Sequence, residues 1–387
     1  MADPPARPTL ARVVLYFLRL GLTGFGGPVA LANYMRTDLI EREHWFSAEE
    51  YDEGLAIATA CPGPLAYQLG VYCGYVTYGF IGAILVALAF AVGPFAIVIA
   101  AAFAYARYGS TWELRALFWG VAPIVIALIV KSCWSLGRTT LRREPVVWLF
   151  AAIACAITII VQKELVAVFL IAGALGIFVF ARKRTIEGNA TGRSVGKTVR
   201  LHSIAPWGLA GVPLVKIFLF FFKTGFLVFG SGLVIVPFLK TYVVDQYHWL
   251  NNQAFLDAVA IGIVSPGPVV ITATFVGYLL GDLPGALAAT AGIFLPSLVF
   301  VLVGTPLLRR HRQNERLQGF IRGVTAAVVG VLVGTSFLIA RSSIHDWRAL
   351  ALLVIAVTLL FSKWKIPDQV LVAGGALVGL ASFAAAR

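Results

Sequence analysis

The sequence is poor in charge, above all in acidic residues. Charged side chains make up 13% of its 387 residues, and 31 basic side chains outnumber 18 acidic ones. Soluble domains carry about 25% charged residues, so this composition excludes an ordinary soluble fold. The sequence also has no P-loop, no nucleophile motif and no cluster of His, Cys and Asp at metal-ligand spacing. We therefore expect no enzyme, no direct use of ATP, no cofactor and no bound metal.

Cysteine is equally scarce. Cys61, Cys73, Cys133 and Cys155 are scattered through apolar segments without CxxC spacing. We expect them to pack as small apolar side chains rather than to form disulfides or a metal site.

Apolar residues dominate the rest of the chain. They make up 59% of it, and the mean hydropathy is +0.88. Long apolar runs recur from residue 81 onward, and most reach or approach the roughly 20 residues that a bilayer-spanning helix needs. These runs lack the alternating pattern of a transmembrane barrel. The sequence therefore predicts an all-α polytopic membrane protein with about ten crossings.

The chain contains two copies of one unit. The segment FLRLGLTGFGGP at 17–28 aligns without a gap with FFKTGFLVFGSG at 221–232, at a shift of 204 residues. At the same shift, CPGP at 61–64 aligns with SPGP at 265–268. The identities concentrate in glycine and proline, where the shape of the backbone matters most.

Basic residues mark the boundary between the two copies. We interpret 1–181 and 207–387 as the two repeats and 182–206 as a basic linker in the cytoplasm. Another basic stretch, at 307–316, is cytoplasmic only if the second repeat is inserted in the opposite orientation. Opposite orientation requires an odd number of crossings per repeat, most simply five, with one of the two broken segments re-entrant. Basic loops of this kind favour a membrane protein over one that binds nucleic acid.

Glycine and proline break the first two segments of each repeat. Pro-Gly-Pro removes two backbone donors and interrupts a helix. Helices that begin at Leu65 and Val269 would direct free N–H groups and a positive dipole end at the Pro-Gly-Pro turn. One such motif is often only a kink or a packing device. Because both motifs recur in the same order, they favour a site for an oxyanion at the interface of inverted repeats.

Four charged residues accompany these motifs. Arg19 and its counterpart Lys223 lie about two helical turns before the glycines, and either they balance a bound anion or they snorkel to the headgroups. Glu53 and Asp257 each lie nine residues before the first proline of Pro-Gly-Pro. They either carry a coupling proton or serve as carboxylates at the N-termini of interfacial helices.

With these motifs the chain resembles the chromate ion transporter family in its long-chain, two-domain form. FGGP at 25–28, Pro-Gly-Pro followed by Gln68, and FGSG with its own Pro-Gly-Pro carry the likeness. The resemblance implies a carrier in the inner membrane of a bacterial or archaeal cell that exports chromate, confers chromate resistance and accepts sulfate as an analogue. By motif position it places the substrate site on Gly24, Phe25, Gly26, Gly27, Pro28, Pro62, Gly63, Pro64, Gln68, Gly230, Ser231, Gly232, Pro266, Gly267 and Pro268.

Several readings of this site stay open. Alternating access, in which the repeats rock about a fixed anion site, is the mechanism that the duplicated breaks favour. An anion channel would need no coupling group, a scaffold or lipid-binding protein would carry no solute, and another oxyanion could be the natural substrate. The expected partners are the oxyanion and the lipid bilayer, a homodimer is compatible with the sequence, and no nucleic acid is expected. Because Thr272 replaces Gln68 in the second repeat, we expect the first repeat to contribute more of the site.

Overall fold

The structure, a computed structural model, is almost entirely helical. It describes residues 8–25, 27–109, 111–140, 145–161, 166–181, 212–230, 232, 235–311, 315–344, 346–362 and 366–384. The strands in this described part form one pair of two-residue strands, so the all-α prediction is confirmed. The linker predicted at 182–206 lies outside the described residues.

The order of helices is the same in the two halves, whereas the strand follows the third helix in the first half and the first helix in the second. The first half contains α1 (Leu10–Thr23), α2 (Gly27–Arg36) with a π-helical continuation (Thr37–Arg42), α3 (Ala48–Ala60), β1 (Gly63–Pro64), α4 (Leu65–Tyr108), α5 (Trp112–Thr140), α6 (Pro145–Val161) and α7 (Val166–Ala181). The second half contains α8 (Leu214–Gly225), β2 (Phe229–Gly230), α9 (Ile235–Phe238) with a π-helical continuation (Leu239–Gln246), α10 (Asn252–Val264), a 3-10 turn (Val269–Ile271), α11 (Thr272–His311), α12 (Glu315–Ser343), α13 (Trp347–Phe361) and α14 (Asp368–Ala384).

The glycine motif folds α1 and α2 back on each other. Arg12 near the start of α1 pairs with Glu43 beyond the end of the π-helical turn at 3.2 Å, and Tyr16 donates a hydrogen bond to Asp38 at 3.2 Å. In the second half, Phe220 and Tyr242 make the equivalent contact, with ring centroids 6.0 Å apart. The first broken segment of each half is therefore a helical hairpin.

Pro-Gly-Pro forms the tip of a second hairpin. Tyr72 on α4 donates a hydrogen bond to Glu53 on α3 at 3.1 Å, although a straight helix would separate the two residues by about 28 Å. In the second half, Gly262 before the motif packs directly on Thr272 after it. Both broken segments of each repeat therefore fold back as hairpins; the sequence-based prediction that one of the two is re-entrant stays a prediction.

A sharp reversal divides each of the helices α4 and α11 into a short arm and a long arm. The backbone is non-helical at Tyr78 and Gly79 in α4. It is also non-helical in α11, at Gly281 and Asp282. Close approach of the arms needs glycine, because a Cβ on Gly74 would meet the carbonyl of Gly82. The arms are residues 65–77 and 80–108 in α4, and 272–280 and 283–311 in α11.

Equivalent helices of the two halves run in opposite directions. The Sγ of Cys133 on α5 lies 3.5 Å from the Oγ of Ser336 on α12. Ile126, which precedes Cys133, and Ile344, which follows Ser336, line the same cavity. Because the residue numbers increase along one helix as they decrease along the other, α5 and α12 are antiparallel. Antiparallel counterparts are the mark of inverted repeats.

The halves also interlock at their C-terminal helices. Gly120 on α5 packs against Gly375 and Gly379 on α14, and Gly176 on α7 packs against Gly319 and Gly323 on α12. Small residues allow such close helix contacts where the bilayer supplies no hydrophobic drive for association. The last helix of each half, α7 or α14, therefore packs against a helix of the other half.

Four helical stretches in the described residues are long and apolar enough to cross a membrane. They are Leu65–Tyr108, Trp112–Ser135, Val269–Leu307 and Gln318–Arg341. Shorter apolar helices lie at Pro145–Val161, Ala167–Val179, Asn252–Val264, Trp347–Phe361 and Asp368–Ser382. This arrangement fits a multi-pass membrane protein; the count of about ten crossings stays a prediction.

Candidate functional site

Each Pro-Gly-Pro tip contacts the glycine break of the other half. The N–H of Gly63 donates to the carbonyl of Val228, and β1 pairs with β2 in parallel. The N–H of Gly267 donates to the carbonyl of Gly24 at 2.8 Å. Gly267 and Val228 each follow their first-half counterparts, Gly63 and Gly24, by 204 residues. The two hydrogen bonds are therefore equivalent, and each joins the tip of one half to the glycine break of the other.

The tips also pack on the long arms of the opposite half. Gly63 lies against Ser297 on α11, and Gly267 lies against Pro94 on α4. After Pro-Gly-Pro the alignment of the two halves changes by one residue, from a shift of 204 to a shift of 203. Ser297 is therefore the counterpart of Pro94. The central glycine of the first tip thus faces a hydroxyl group, whereas the central glycine of the second tip faces an apolar ring.

An uncapped helix end follows each tip. α4 begins at Leu65, directly after Pro64, and no side chain caps its N-terminus. The 3-10 turn before α11 begins at Val269, directly after Pro268, and also has no side-chain cap. Both starts were predicted from the sequence. Free N–H groups and the positive end of a helix dipole favour a bound anion.

Buried polar atoms without a partner are concentrated at the first tip. Gln68 is fully buried, and its Nε2 donates to the carbonyl of Pro62 at 2.5 Å. Within the described chain, three buried side-chain polar atoms lack a hydrogen-bond partner: Gln68 Oε1, Ser297 Oγ and Thr305 Oγ1. Two of the three belong to residues that adjoin Gly63, namely Gln68 and Ser297. Buried groups of this kind are rare in folded proteins and point to a missing ligand.

Sequence reasoning missed Ser297. It lies in the long arm of α11, which shows no motif, and only its proximity to Gly63 identifies it. The signal available in the sequence was the change from Pro94 to Ser297 at aligned positions.

The other predicted site residues fall into three groups. Gly24, Pro64, Gly232 and all of Pro266, Gly267 and Pro268 are buried, and Pro62 is half-buried. Phe25 is 39% exposed, and Pro28 is half-buried within the first turn of α2. Gly27 begins α2 and Gly230 belongs to β2, whereas Gly26 and Ser231 lie outside the described residues.

The two predicted cations lie on outer faces. Arg19 and Lys223 are exposed, while Phe17, Leu20 and Gly21 form the buried face of α1. Lys223 packs over the ring of Tyr242, with its Nζ 5.5 Å from the centroid. This placement favours snorkelling over a role as counter-charges inside the site.

The two predicted acids have different surroundings. Glu53 is half-buried and accepts a hydrogen bond from Tyr72 within its own half. Asp257 is 3% exposed and accepts hydrogen bonds from Tyr105 of the other half at 2.7 Å and from Gln253 at 2.8 Å. Asn251 supplies the N-cap of α10, so Asp257 is not the terminal carboxylate of its helix. A buried carboxylate held by two donors is a candidate proton carrier.

A cavity of about 450 Å³ opens beside Asp257. It lies between α5, α10 and the junction of α12 with α13, and its lining includes Trp119, Gln253 and Asp346. Gln253 also donates to Asp257, so one residue connects the cavity with the buried acid. None of the residues that line the cavity belongs to the tips.

The described residues contain no group of three or more His, Cys, Asp or Glu side chains that could hold a metal ion. The groups described at the tips are backbone donors, helix ends and uncharged side chains. Such groups suit an oxyanion.

Comparison with known proteins agrees with this chemistry. The family model described as "Chromate transporter" matches residues 11–177 and 215–380. A chromate transport protein of Cupriavidus metallidurans is 40% identical over 97% of this chain and 94% of its own length. A protein of Synechococcus elongatus named "Probable chromate transport protein" is 40% identical over 96% of this chain and 95% of its own length. A chromate transport protein of Pseudomonas aeruginosa is 33% identical over 84% of this chain and 80% of its own length. No solved structure matches the chain.

Proposed function

The chain belongs to the chromate transporter family, and from this premise we propose that it is a secondary active carrier that exports chromate by alternating access. Sulfate, a tetrahedral oxyanion of similar size, is the expected competing analogue. Export from a bacterial or archaeal cell across the inner membrane would confer chromate resistance. The repeats at 1–181 and 207–387 would be the two moving units.

The observation that carries this proposal is the reciprocal pairing of tips and breaks. Gly63 bonds to Val228, and Gly267 bonds to Gly24, so each half closes one side of a shared centre. Exchange of these two equivalent backbone hydrogen bonds would be part of opening one side while the other closes. Broken helices at the interface of inverted repeats perform this role in other transporters.

The anion would be bound at the first tip. The uncapped N-terminus of α4 supplies N–H groups and a positive dipole end. Gln68 and Ser297 flank Gly63 with unpartnered polar atoms. The second tip, where Thr272 bonds to the carbonyl of Val269 of its own turn, would serve mainly as a gate.

Asp257 is the proposed proton carrier. It accepts a hydrogen bond from Gln253, which lines the cavity, and another from Tyr105 of the other half. A change in its charge would alter this contact between α4 and α10. Proton binding would then bias which side of the carrier is open.

Uptake of radiolabelled chromate into proteoliposomes tests the function. Vesicles preloaded with sulfate should take up chromate faster than empty vesicles, because a carrier returns faster with an anion bound. A channel would show no such counterflow and much faster flux. Folded protein that gives no uptake above protein-free vesicles would contradict chromate transport.

A further inference from the structure

The unpartnered atoms at the first tip include an acceptor. Gln68 can direct only its NH₂ group at the carbonyl of Pro62, because two carbonyl oxygens would repel each other. Its Oε1 therefore points elsewhere, and this oxygen is fully buried without a donor. A fully deprotonated oxyanion carries only acceptors, so it cannot satisfy this atom.

The neighbouring Ser297 supplies the complementary group. Its hydroxyl can donate one hydrogen bond, and it lies next to Gly63 with no partner of its own. Several other buried hydroxyls in the described helices bond to a carbonyl four residues earlier, as Ser336 does to Leu332 and Thr158 does to Ala154. Ser297 and Gln68, which both contact Gly63, thus offer one donor and one acceptor that have no partner.

Charge near the tip is also limited. In the described chain the buried charged residues are Lys240 and Asp257, and Lys240 is already paired with Asp245 at 2.6 Å. Arg19 and Lys223 are exposed. A helix N-terminus offers about half an elementary charge, which balances a monoanion better than a dianion.

We propose that the first tip binds the oxyanion in its singly protonated form, as hydrogen chromate, and that this requirement discriminates against sulfate. The O–H of hydrogen chromate donates to Gln68 Oε1, and one of its other oxygens accepts from Ser297. The proton stays on the substrate, and no bond is formed or broken. Sulfate is a weaker base than chromate and is not protonated near neutral pH, so it leaves the acceptor unsatisfied. The inference rests on the proposed function and deepens it.

A site built to bond a substrate O–H discriminates against an analogue that lacks it, because the buried acceptor is left unpaired. We expect sulfate to bind about a hundredfold more weakly than hydrogen chromate, so sulfate still exchanges with chromate when the vesicles are preloaded with it at a concentration above its Kd.

The test measures chromate uptake by the full-length protein in proteoliposomes at several pH values on both sides of neutrality. Above the pKa of hydrogen chromate, the apparent KM for total chromate should rise by about tenfold per pH unit. The inhibition constant of sulfate, measured in the same vesicles, should not change with pH. A sulfate constant that follows the chromate KM would assign the pH effect to the protein and overturn the proposal.

Two variants separate the acceptor from the donor. Gln68→Met keeps the approximate volume but removes the acceptor, so the pH dependence of KM should disappear and the preference for chromate over sulfate should fall at least tenfold. Ser297→Ala removes a donor that either anion can use, so both anions should bind more weakly while their ratio stays the same. Ser336→Ala, which removes a buried hydroxyl away from the tip, is the matched control and should change neither.

Titratable groups on the elements around the tip are controlled in the same assay. They are Glu53 on α3, Cys61 directly after it, Tyr67 and Tyr72 on α4, Asp257 on α10 and Lys223 on α8; the long arm of α11 from Leu283 to Leu307 carries none. Without an imposed pH gradient, the variants Glu53→Gln, Cys61→Ala, Tyr67→Phe, Tyr72→Phe, Asp257→Asn and Lys223→Gln should keep the pH dependence of KM. Loss of that dependence in any of them would assign it to the protein. If wild-type vesicles transport chromate and Gln68→Met vesicles keep both the pH dependence and the selectivity, the inference is overturned but the proposed function stands. If wild-type vesicles show no chromate uptake at any pH, the proposed function itself is refuted.

Discussion

The two halves share a backbone but differ in the side chains at equivalent places. His44 and His248 both adopt a positive φ, of 52° and 51°, and both tips bond to the opposite break. Yet the first tip carries Gln68 where the second carries Thr272, and the half-buried Glu53 corresponds to the fully enclosed Asp257. In the function proposed above, this difference would divide the roles, with the anion bound in the first half and the proton carried by the second.

The largest effect is expected from Gly63→Ala. Gly63 has a φ of 142°, and a Cβ there would lie 2.6 Å from Ser297 Oγ and would overlap the amide of Gln68. Displacement of these groups by about 1 Å should reduce transport by about a hundredfold. Chromate uptake by detergent-stable, correctly inserted protein is the measurement.

Gly79→Asn is the matched control for Gly63→Ala. Gly79 also has a positive φ, of 61°, but a Cβ there would meet no atom within 4 Å. Asn tolerates this conformation, and the equivalent residue in the second half is Asp282. Near-normal uptake by Gly79→Asn would assign the loss in Gly63→Ala to the tip. Equal loss in both variants would contradict that assignment.

The next effect is expected from Asp257→Asn. The amide can still accept from Tyr105 or Gln253 but cannot release a proton, so acceleration of uptake by a pH gradient should be lost. Exchange of chromate for internal sulfate should persist. Glu53→Gln in the first half should keep the acceleration of uptake by a pH gradient. If Glu53→Gln lost this acceleration and Asp257→Asn kept it, Glu53 rather than Asp257 would be the proton carrier.

A smaller effect is expected from Thr272→Val. The hydroxyl of Thr272 bonds to the carbonyl of Val269, so its removal should lower the free energy of unfolding by about 1 kcal/mol. Uptake should stay within about twofold of wild type. Thermal unfolding in detergent checks the expected loss of stability, and chromate uptake by the same preparation checks the twofold limit. A loss of transport as large as that of Gln68→Met would show that the tips act equally.

The smallest effect is expected from Arg19→Gln and Lys223→Gln. Both cations are exposed on α1 and α8, where charge interactions are weak and screened. The apparent KM for chromate should change by about twofold at most at physiological salt. A large increase of the apparent KM in either variant would show that the cation contributes to binding the anion.

The sequence made the backbone of the site predictable and left its side chains undecided. Glycine and proline act locally, so the breaks and the helix starts at Leu65 and Val269 followed from the residues themselves. The positions of Arg19 and Lys223 were less predictable, because a helical cation can face either the centre or the outside. Ser297 gave almost no local signal, since an isolated serine in an apolar helix is common.

The sequence by itself determined the membrane environment, the duplicated broken segments and the family of the chain, because composition and spacing are properties of the linear chain. Only the tertiary structure decided which groups meet at the centre. Each Pro-Gly-Pro tip bonds to the break of the other half, and Gln68 and Ser297, more than two hundred residues apart, flank the same glycine. Such contacts depend on how the two halves dock, and no local propensity encodes that arrangement.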